Sequence, residues 1–134
     1  MESVRPQVRV RTGGMWLVET QAANGWHQQI RIGQDYHTAV AVSFGHTGEG
    51  GVSSQGASQD TTDGGEGNGV VYRDFSAPVR QIQHTPMTAE QRDRAQAILL
   101  SLVGDTAPYD LVANNCAHWS MRHYDRIKSI VKEQ

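Results

Sequence analysis

The fold of this chain is decided by residues 107 to 127, which read APYDLVANNCAHWSMRHYDRI. They hold the only cysteine of the chain, Cys116, directly after Asn114 and Asn115. Either asparagine can cap a helix, and the apolar residues that follow recur at helical spacing. We therefore predict a helix from about Cys116 to Val131, with the cysteine in its first turn.

The length and composition indicate a single domain. The chain has 134 residues, of which 37% are hydrophobic and 19% charged, with a net charge of −2. This suits one domain over residues 1–134 with one modest core. We expect no nucleic-acid partner, because the 12 basic residues form no patch. A single cysteine excludes an internal disulfide and a cysteine-rich zinc site.

The sequence also bears on localisation. No apolar run approaches the roughly 20 residues of a membrane span. The first ten residues, MESVRPQVRV, lack the apolar centre of a signal peptide. We therefore expect a soluble chain without a membrane span, which would reach the outside of a cell only by a non-classical, effector-type route.

Strand-like stretches fill the first part of the chain and a long polar loop interrupts them. The clearest is YHTAVAVSFG, residues 36–45, where β-branched and small residues alternate. The loop, at about 46–69, is rich in Gly and Ser and has almost no core-forming residues. The other strand-like stretches are a hairpin at 7–21, with Gly13 and Gly14 at its turn, and the segments 26–34, 70–76 and 78–84.

A second helix precedes the cysteine block. Thr88 begins it, and Gln91 completes a capping-box pattern. Apolar residues continue at helical spacing as far as Gly104, which suits the C-terminal stop. Strands followed by two helices predict an α+β domain, a small antiparallel sheet with the helices packed on one side.

The polar loop contains a set of oxygen donors. They stand among glycines and are Asp60, Asp63, Glu66 and Asn68. Hard cations such as calcium prefer such ligands, but the spacing does not match an EF-hand. We favour a flexible loop or lid over a calcium site. No metal and no cofactor is expected.

The position of Cys116 favours reactivity. Free N–H groups and the helix dipole at a helix N-terminus lower a thiol pKa, and the same N–H groups can hold an oxyanion. The alternative is a cysteine that simply packs against the sheet, which is the commoner role of a lone cysteine.

A thiol nucleophile needs a base, and the chain has six histidines to choose from. On the predicted helix, His118 faces away from Cys116 and His123 lies about 10 Å further along. His37 opens the clearest strand, and the small residues on its face of the strand would let a helix approach closely. We therefore choose His37 over the rest, which also include His27, His46 and His84.

The imidazole also needs an orienting partner. We place His46 first, because it follows the same strand as His37 and could return beside it. Asp74, Gln83 and His84 on later strands remain alternatives.

Two motifs resemble a known group. The late one is similar to Tyr-x-Leu-(x)n-Asn-Cys-x-x-Phe and is matched by Tyr109, Leu111, Asn115, Cys116 and Trp119. The early one, an aromatic-His-(Thr/Ser)-x-hydrophobic pattern, is matched by Tyr36, His37, Thr38 and Val40. Histidine first and cysteine last resembles the circularly permuted papain-like fold of the lecithin retinol acyltransferase-like and PPPDE (deSUMOylating isopeptidase-like) proteins. Both are related to NlpC-type peptidases.

The resemblance implies a thiol hydrolase. Cys116 would be the nucleophile, His37 the base and His46 its orienting partner, with Tyr36 or Asn115 helping to bind the oxyanion. The substrate would be a peptide, isopeptide or peptidoglycan amide. As an antibacterial effector or toxin, such a chain would have an immunity or inhibitor protein as partner. The alternatives are a lipid acyltransferase or phospholipase of the same fold, or a non-catalytic binding module.

Overall fold

The structure is a computed structural model that describes residues 13–22, 25–46, 69–107 and 115–133. The predicted loop, apart from its ends, and its oxygen donors lie outside these ranges. So does most of the segment that joins the last strand to the cysteine helix. The described elements are β1 Gly14–Ala22, β2 Gly25–Gly33, β3 Val40–His46, β4 Gly69–Arg73, β5 Arg80–Pro86, α1 Ala89–Ser101, β6 Thr106–Ala107 and α2 Cys116–Lys132.

The strands form one six-stranded sheet in the order β5-β1-β2-β3-β4-β6. Each neighbouring pair is antiparallel. The predicted α+β class, with an antiparallel sheet and two helices, is confirmed. Within the described ranges, no helix has the length and apolar character needed to cross a membrane.

Both helices pack on one face of the sheet. Strand residues of this face are paired across the ladders, for example Met15 with Ile32 and Phe44 with Val71. They form one buried cluster with residues of both helices. The helical members are Ala95, Leu99, Trp119, Tyr124, Ile127 and Val131. The hydrophobic effect thus places both helices on the same side, as the apolar periodicity of the sequence predicts.

The helix ends follow the predicted caps. Thr88 Oγ1 accepts a hydrogen bond from the Gln91 N–H, and the Gln91 side chain accepts one from the Thr88 N–H. This closed capping box fixes the start of α1. Past its end, Gly104 has a φ of +99°, which favours glycine and lets the chain turn toward β6.

The opposite face of the sheet is polar but buried. It carries Gln29 and Arg31 of β2, Ser43 of β3 and Tyr72 of β4, all at most 6% exposed. The small residues that we expected to receive the cysteine helix, Ala41 and Ser43, belong to this face. That expectation is wrong, because the larger side chains Val42 and Phe44 on the other face form the core against the helices.

The ladder between β2 and β3 is short. Its three residue pairs run from Ile32–Val40 to Ile30–Val42. Beyond them, Ser43 Oγ lies 3.0 Å from the Gln28 carbonyl oxygen, and Ser120 Oγ of α2 donates to the same oxygen at 3.5 Å. Side chains thus replace main-chain pairing at the start of β2, which places the N-terminal part of α2 beside the end of this ladder.

Candidate active site

Cys116 is the first residue of α2, and Asn115 is its N-cap. Asn115 Oδ1 accepts hydrogen bonds from the N–H groups of Ala117 at 2.9 Å and His118 at 3.0 Å. His118 Nδ1 in turn accepts from the Asn115 N–H at 3.3 Å. The Asn115 oxygen is therefore used to cap the helix, and this cap does not involve the Cys116 N–H. The predicted helix start is confirmed.

The histidine that meets Cys116 is His27, the third residue of β2. A side-chain hydrogen bond joins the thiol to His27, and the Gln28 N–H also donates to the sulfur. Both contacts come from the part of β2 that lies beyond its ladder with β3. The helix start and the strand start therefore bring a thiol and an imidazole together.

Asp74, the residue directly after β4, contacts the Nε2 side of the His27 imidazole. His27 Nε2 lies 3.2 Å from Asp74 Oδ2 and 2.9 Å from the Tyr72 hydroxyl. Asp74 also accepts from Ser43 Oγ at 2.7 Å and from the Ser76 N–H at 2.9 Å. Since Nε2 is engaged on this side, Nδ1 is the nitrogen left to face the thiol.

The three groups shift one another's proton affinity. Burial alone would lower the pKa of His27, but hydrogen bonds to Asp74 and Cys116 outweigh it and raise the pKa to about 9. Burial would raise the pKa of Cys116, but the hydrogen bond and charge of His27 lower it. Burial also opposes ionisation of Asp74, yet His27 and Ser43 hold its pKa well below the usual range. The arrangement favours a thiolate beside an imidazolium.

This arrangement can carry acyl-transfer chemistry. It has a nucleophile, an acid–base group within hydrogen-bond reach, and a carboxylate that orients that group. Within the described ranges, no group of three or more His, Cys, Asp or Glu side chains has the geometry to hold a metal ion.

The structure places His37 and Tyr36 elsewhere. They lie in a turn before β3, which begins only at Val40. Asp35 Oδ1 accepts from the His37 N–H at 2.8 Å, and Arg31 donates to the carbonyls of Tyr36 and His37. These bonds hold the turn, so His37 is exposed and does not open the strand. The expectation that His37 faces Cys116 is replaced by the His27 contact.

The remaining candidates also have other places. His46 is the last residue of β3, and its side chain lies outside the described part of the structure. His84 stacks on Trp16 with ring centroids 4.9 Å apart. Gln83 is exposed on β5. Of the alternatives to His46, Asp74 is the one that contacts the histidine of the site.

The sequence contains only a weak signal for His27. In WHQQIRIGQ, residues 26–34, alternation places His27 on one side with Gln29 and Arg31, opposite Ile30 and Ile32. A polar strand face normally indicates solvent, whereas here Gln29 and Arg31 are buried. The early end of the β2–β3 ladder brings this face to the cysteine, and strand pairing of that kind is not encoded by local pattern.

Comparisons of the chain with protein-family models, with curated proteins and with solved structures found no match.

Proposed function

We propose that this chain is a cysteine-dependent hydrolase that cleaves an amide bond through a thioester intermediate. The observation that carries the proposal is the continuous contact from Cys116 through His27 to Asp74. A buried cysteine that only packs has no need of an imidazole raised in pKa and a buried carboxylate behind it. The pattern fits nucleophilic catalysis better than a binding module.

The proposed chemistry begins from the thiolate–imidazolium pair. The Cys116 sulfur attacks the substrate carbonyl carbon, and the carbonyl π electrons move onto its oxygen. As the tetrahedral intermediate collapses, the carbon–nitrogen bond breaks and His27 gives its proton to the departing amine. His27, now neutral, takes a proton from water, which attacks the thioester. The acid product leaves, and the thiolate of Cys116 and the imidazolium of His27 are restored.

The oxyanion would form at the start of α2. The Cys116 N–H is not used by the Asn115 cap, and it stands at the positive end of the helix dipole. We propose this N–H as the first oxyanion donor. Asn115 serves the site by fixing the helix start, and Tyr36 has no part in the proposed mechanism.

The order of the residues supports a circularly permuted papain-like arrangement. The base is on an early strand, the orienting carboxylate follows a middle strand, and the nucleophile opens the last helix. This matches the resemblance of the late motif around Cys116, with His27 in place of His37. By that resemblance the substrate is a peptide, isopeptide or peptidoglycan amide.

The test is alkylation of Cys116 by iodoacetamide as a function of pH, in the original chain and in two matched variants, His27→Asn and His37→Asn. In the original chain the thiolate should react well below the ordinary thiol pKa. His27→Asn should move the profile to higher pH and lower the rate at pH 6.5 by about ten-fold or more. His37→Asn should leave the profile in place, because His37 lies in an exposed turn.

Catalysis is tested with the same three proteins on denatured protein and on purified peptidoglycan, by measuring newly released amines. Hydrolysis that is lost in His27→Asn, and in the original chain after alkylation of Cys116, but kept in His37→Asn supports the proposal. An unshifted profile in His27→Asn, or a shift only in His37→Asn, would overturn the site. A reactive thiol without release of amines from either material would overturn the hydrolase.

A further inference from the structure

The first turn of α2 leaves one main-chain donor for a substrate oxygen. The N–H groups of Ala117 and His118 donate to Asn115 Oδ1, and the Trp119 N–H donates to the Asn115 carbonyl. Of the N–H groups in this turn, only that of Cys116 lies outside the cap. Oxyanions in acyl transfer are held by sets of donors rather than by one. A second donor must therefore come from another part of the site.

Gln28 adjoins both members of the catalytic pair. It follows His27 in β2, and its N–H donates to the Cys116 sulfur. Its carbonyl accepts from Ser120 at 3.5 Å, and Ser120 lies about one turn after the cysteine on α2. The main chain of Gln28 thus contacts the first turn of α2 at two points, and its side chain begins inside the site.

The side chain of Gln28 points to the helix side of the sheet. Side chains alternate along a strand, and Ile30 and Ile32, which share the face of Gln28, belong to the core under the helices. His27 is on the opposite face, where it meets Asp74. The thiol sulfur contacts the His27 ring and the Gln28 N–H, and so lies between the two faces. A carbonyl carbon bonded to the sulfur would have the acid–base group on one side, and the start of α2 with the Gln28 carboxamide on the other.

The carboxamide of Gln28 makes no hydrogen bond with any described residue. Its Oε1 is buried without a partner, an arrangement that lowers the stability of the folded chain. Its Nε2 is also unpaired but is not buried, so its N–H groups are open to a group that enters the site. By contrast Gln96, another half-buried glutamine on the helix side, donates from Nε2 to the Ile32 carbonyl at 3.1 Å. An unpaired amide in a folded protein calls for an explanation, and a donor kept free for the reaction supplies one.

We propose that Gln28 is a catalytic residue, whose Nε2 donates a hydrogen bond to the substrate carbonyl oxygen beside the Cys116 N–H. The inference rests on the proposed function of Cys116. As the sulfur attacks, the carbonyl π electrons move onto the oxygen, and both donors stabilise the negative charge there. When the carbon–nitrogen bond breaks, these electrons return to form the thioester carbonyl. Both donors keep their protons throughout.

The test compares two reactions of the same sulfur. Acylation by p-nitrophenyl acetate passes through an oxyanion, and release of p-nitrophenolate measures its rate. Alkylation by iodoacetamide displaces iodide and forms no oxyanion. Gln28→Met keeps the length of the side chain and the main-chain N–H but removes the amide donor. It should lower the rate of acylation by about ten-fold or more and leave the pH profile of alkylation in place.

Gln96→Met is the matched control. It loses the hydrogen bond to the Ile32 carbonyl, so it should lower the free energy of unfolding without changing the ratio of acylation to alkylation. Gln28→Met removes a buried oxygen that has no partner and should not lower the free energy of unfolding. Urea unfolding checks both expectations. Gln28→Asn, which keeps an amide but withdraws it by one methylene group, should also lose acylation and not alkylation.

The outcomes separate the two proposals. Unchanged acylation in both Gln28 variants, in a chain whose alkylation depends on His27, would overturn the role of Gln28 and leave the hydrolase intact. Equal losses of acylation and alkylation would show that Gln28 acts on the thiolate and not on the oxyanion, which would also overturn its role. An original chain that is alkylated at low pH but never acylated would overturn the hydrolase, and the role of Gln28 with it.

Discussion

His27 Nε2 lies 3.2 Å from Asp74 Oδ2, so that the start of β2 is joined to the residue after β4 across the end of β3. The space between them is bridged by Ser43, whose hydroxyl lies 2.7 Å from the carboxylate and 3.0 Å from the Gln28 carbonyl. The Nε2 side of the His27 imidazole thus contacts the Asp74 carboxylate, and the other side of the ring is left for Cys116.

Replacement of Asp74 by Asn should weaken the thiolate. The amide keeps the shape of the side chain but removes the negative charge that helps to raise the pKa of His27 to about 9. With a less basic imidazole, the alkylation profile of Cys116 should move to higher pH, and the rate at pH 6.5 should fall by about ten-fold. Iodoacetamide kinetics measure this. An unchanged profile in Asp74→Asn would mean that the carboxylate does not act on the thiol through His27.

Stability should depend on pH through the same pair. The pKa of His27 in the folded chain, about 9, lies above its ordinary value of 6.5, so its contribution to stability is complete below about pH 6.5 and is lost as pH rises through 9. The pKa of Asp74 is lowered from 3.8, so its contribution is present above that value and is lost as pH falls. The excess stability of the original chain over Asp74→Asn should therefore be greatest between about pH 4 and 6.5.

Urea unfolding at a series of pH values tests this expectation. A difference between the two proteins that stays constant from pH 5 to pH 10 would contradict it. The variant Asp93→Asn, on the exposed surface of α1, serves as the control and should show no such maximum.

Ser43→Ala should lower both stability and thiol reactivity. Ser43 is fully buried, and its hydroxyl contacts both Asp74 and the Gln28 carbonyl. Without this hydroxyl, the buried Asp74 carboxylate and Gln28 carbonyl lose a hydrogen-bond donor, which should lower the free energy of unfolding by about 1–3 kcal/mol. The matched control is Ser101→Ala, whose exposed hydroxyl donates to the Ile98 carbonyl at 2.6 Å. Chemical unfolding of both variants should show a clear loss only for Ser43→Ala, and equal losses would refute the bridging role.

The two helix caps provide another matched pair. Asn115→Ala and Thr88→Ala each remove a capping box, and each should lower the free energy of unfolding by about 0.5–2 kcal/mol. Only Asn115→Ala should also slow alkylation of Cys116, because only that cap fixes the N–H groups beside the thiol. Similar thiol reactivity in both variants would mean that the Asn115 cap does not affect the reactivity of Cys116.

Tyr72→Phe should have a smaller effect than Asp74→Asn. The tyrosine hydroxyl lies 2.9 Å from His27 Nε2, but it is uncharged and shares that nitrogen with the carboxylate. We expect a decrease of less than about ten-fold in the alkylation rate, as for loss of one neutral hydrogen bond. A larger effect than that of Asp74→Asn, measured at the same pH, would make Tyr72 the principal support of the imidazole.

The local features were predictable because they depend on short-range chemistry. The cap at Asn115, the capping box at Thr88 and the apolar spacing of both helices follow from hydrogen bonds and side-chain positions within one or two turns. The alternating strands and the helices after them also indicated the antiparallel sheet with helices on one side.

The histidine could not be chosen in this way. His37 stands before an alternating stretch and has the local appearance of a strand residue, but Asp35 and Arg31 hold it in a turn. His27 has no distinctive neighbours in the sequence, and Asp74 was one of several alternatives.

By itself, then, the sequence determined that Cys116 begins a helix and that the helix packs on a sheet. Only the tertiary structure decided which imidazole and which carboxylate meet it. The physical reason is that the ladder between β2 and β3 ends after three residue pairs, and this places His27 beside the helix start and within reach of Asp74. Where a ladder ends depends on contacts between strands distant in the chain, which no local spacing specifies.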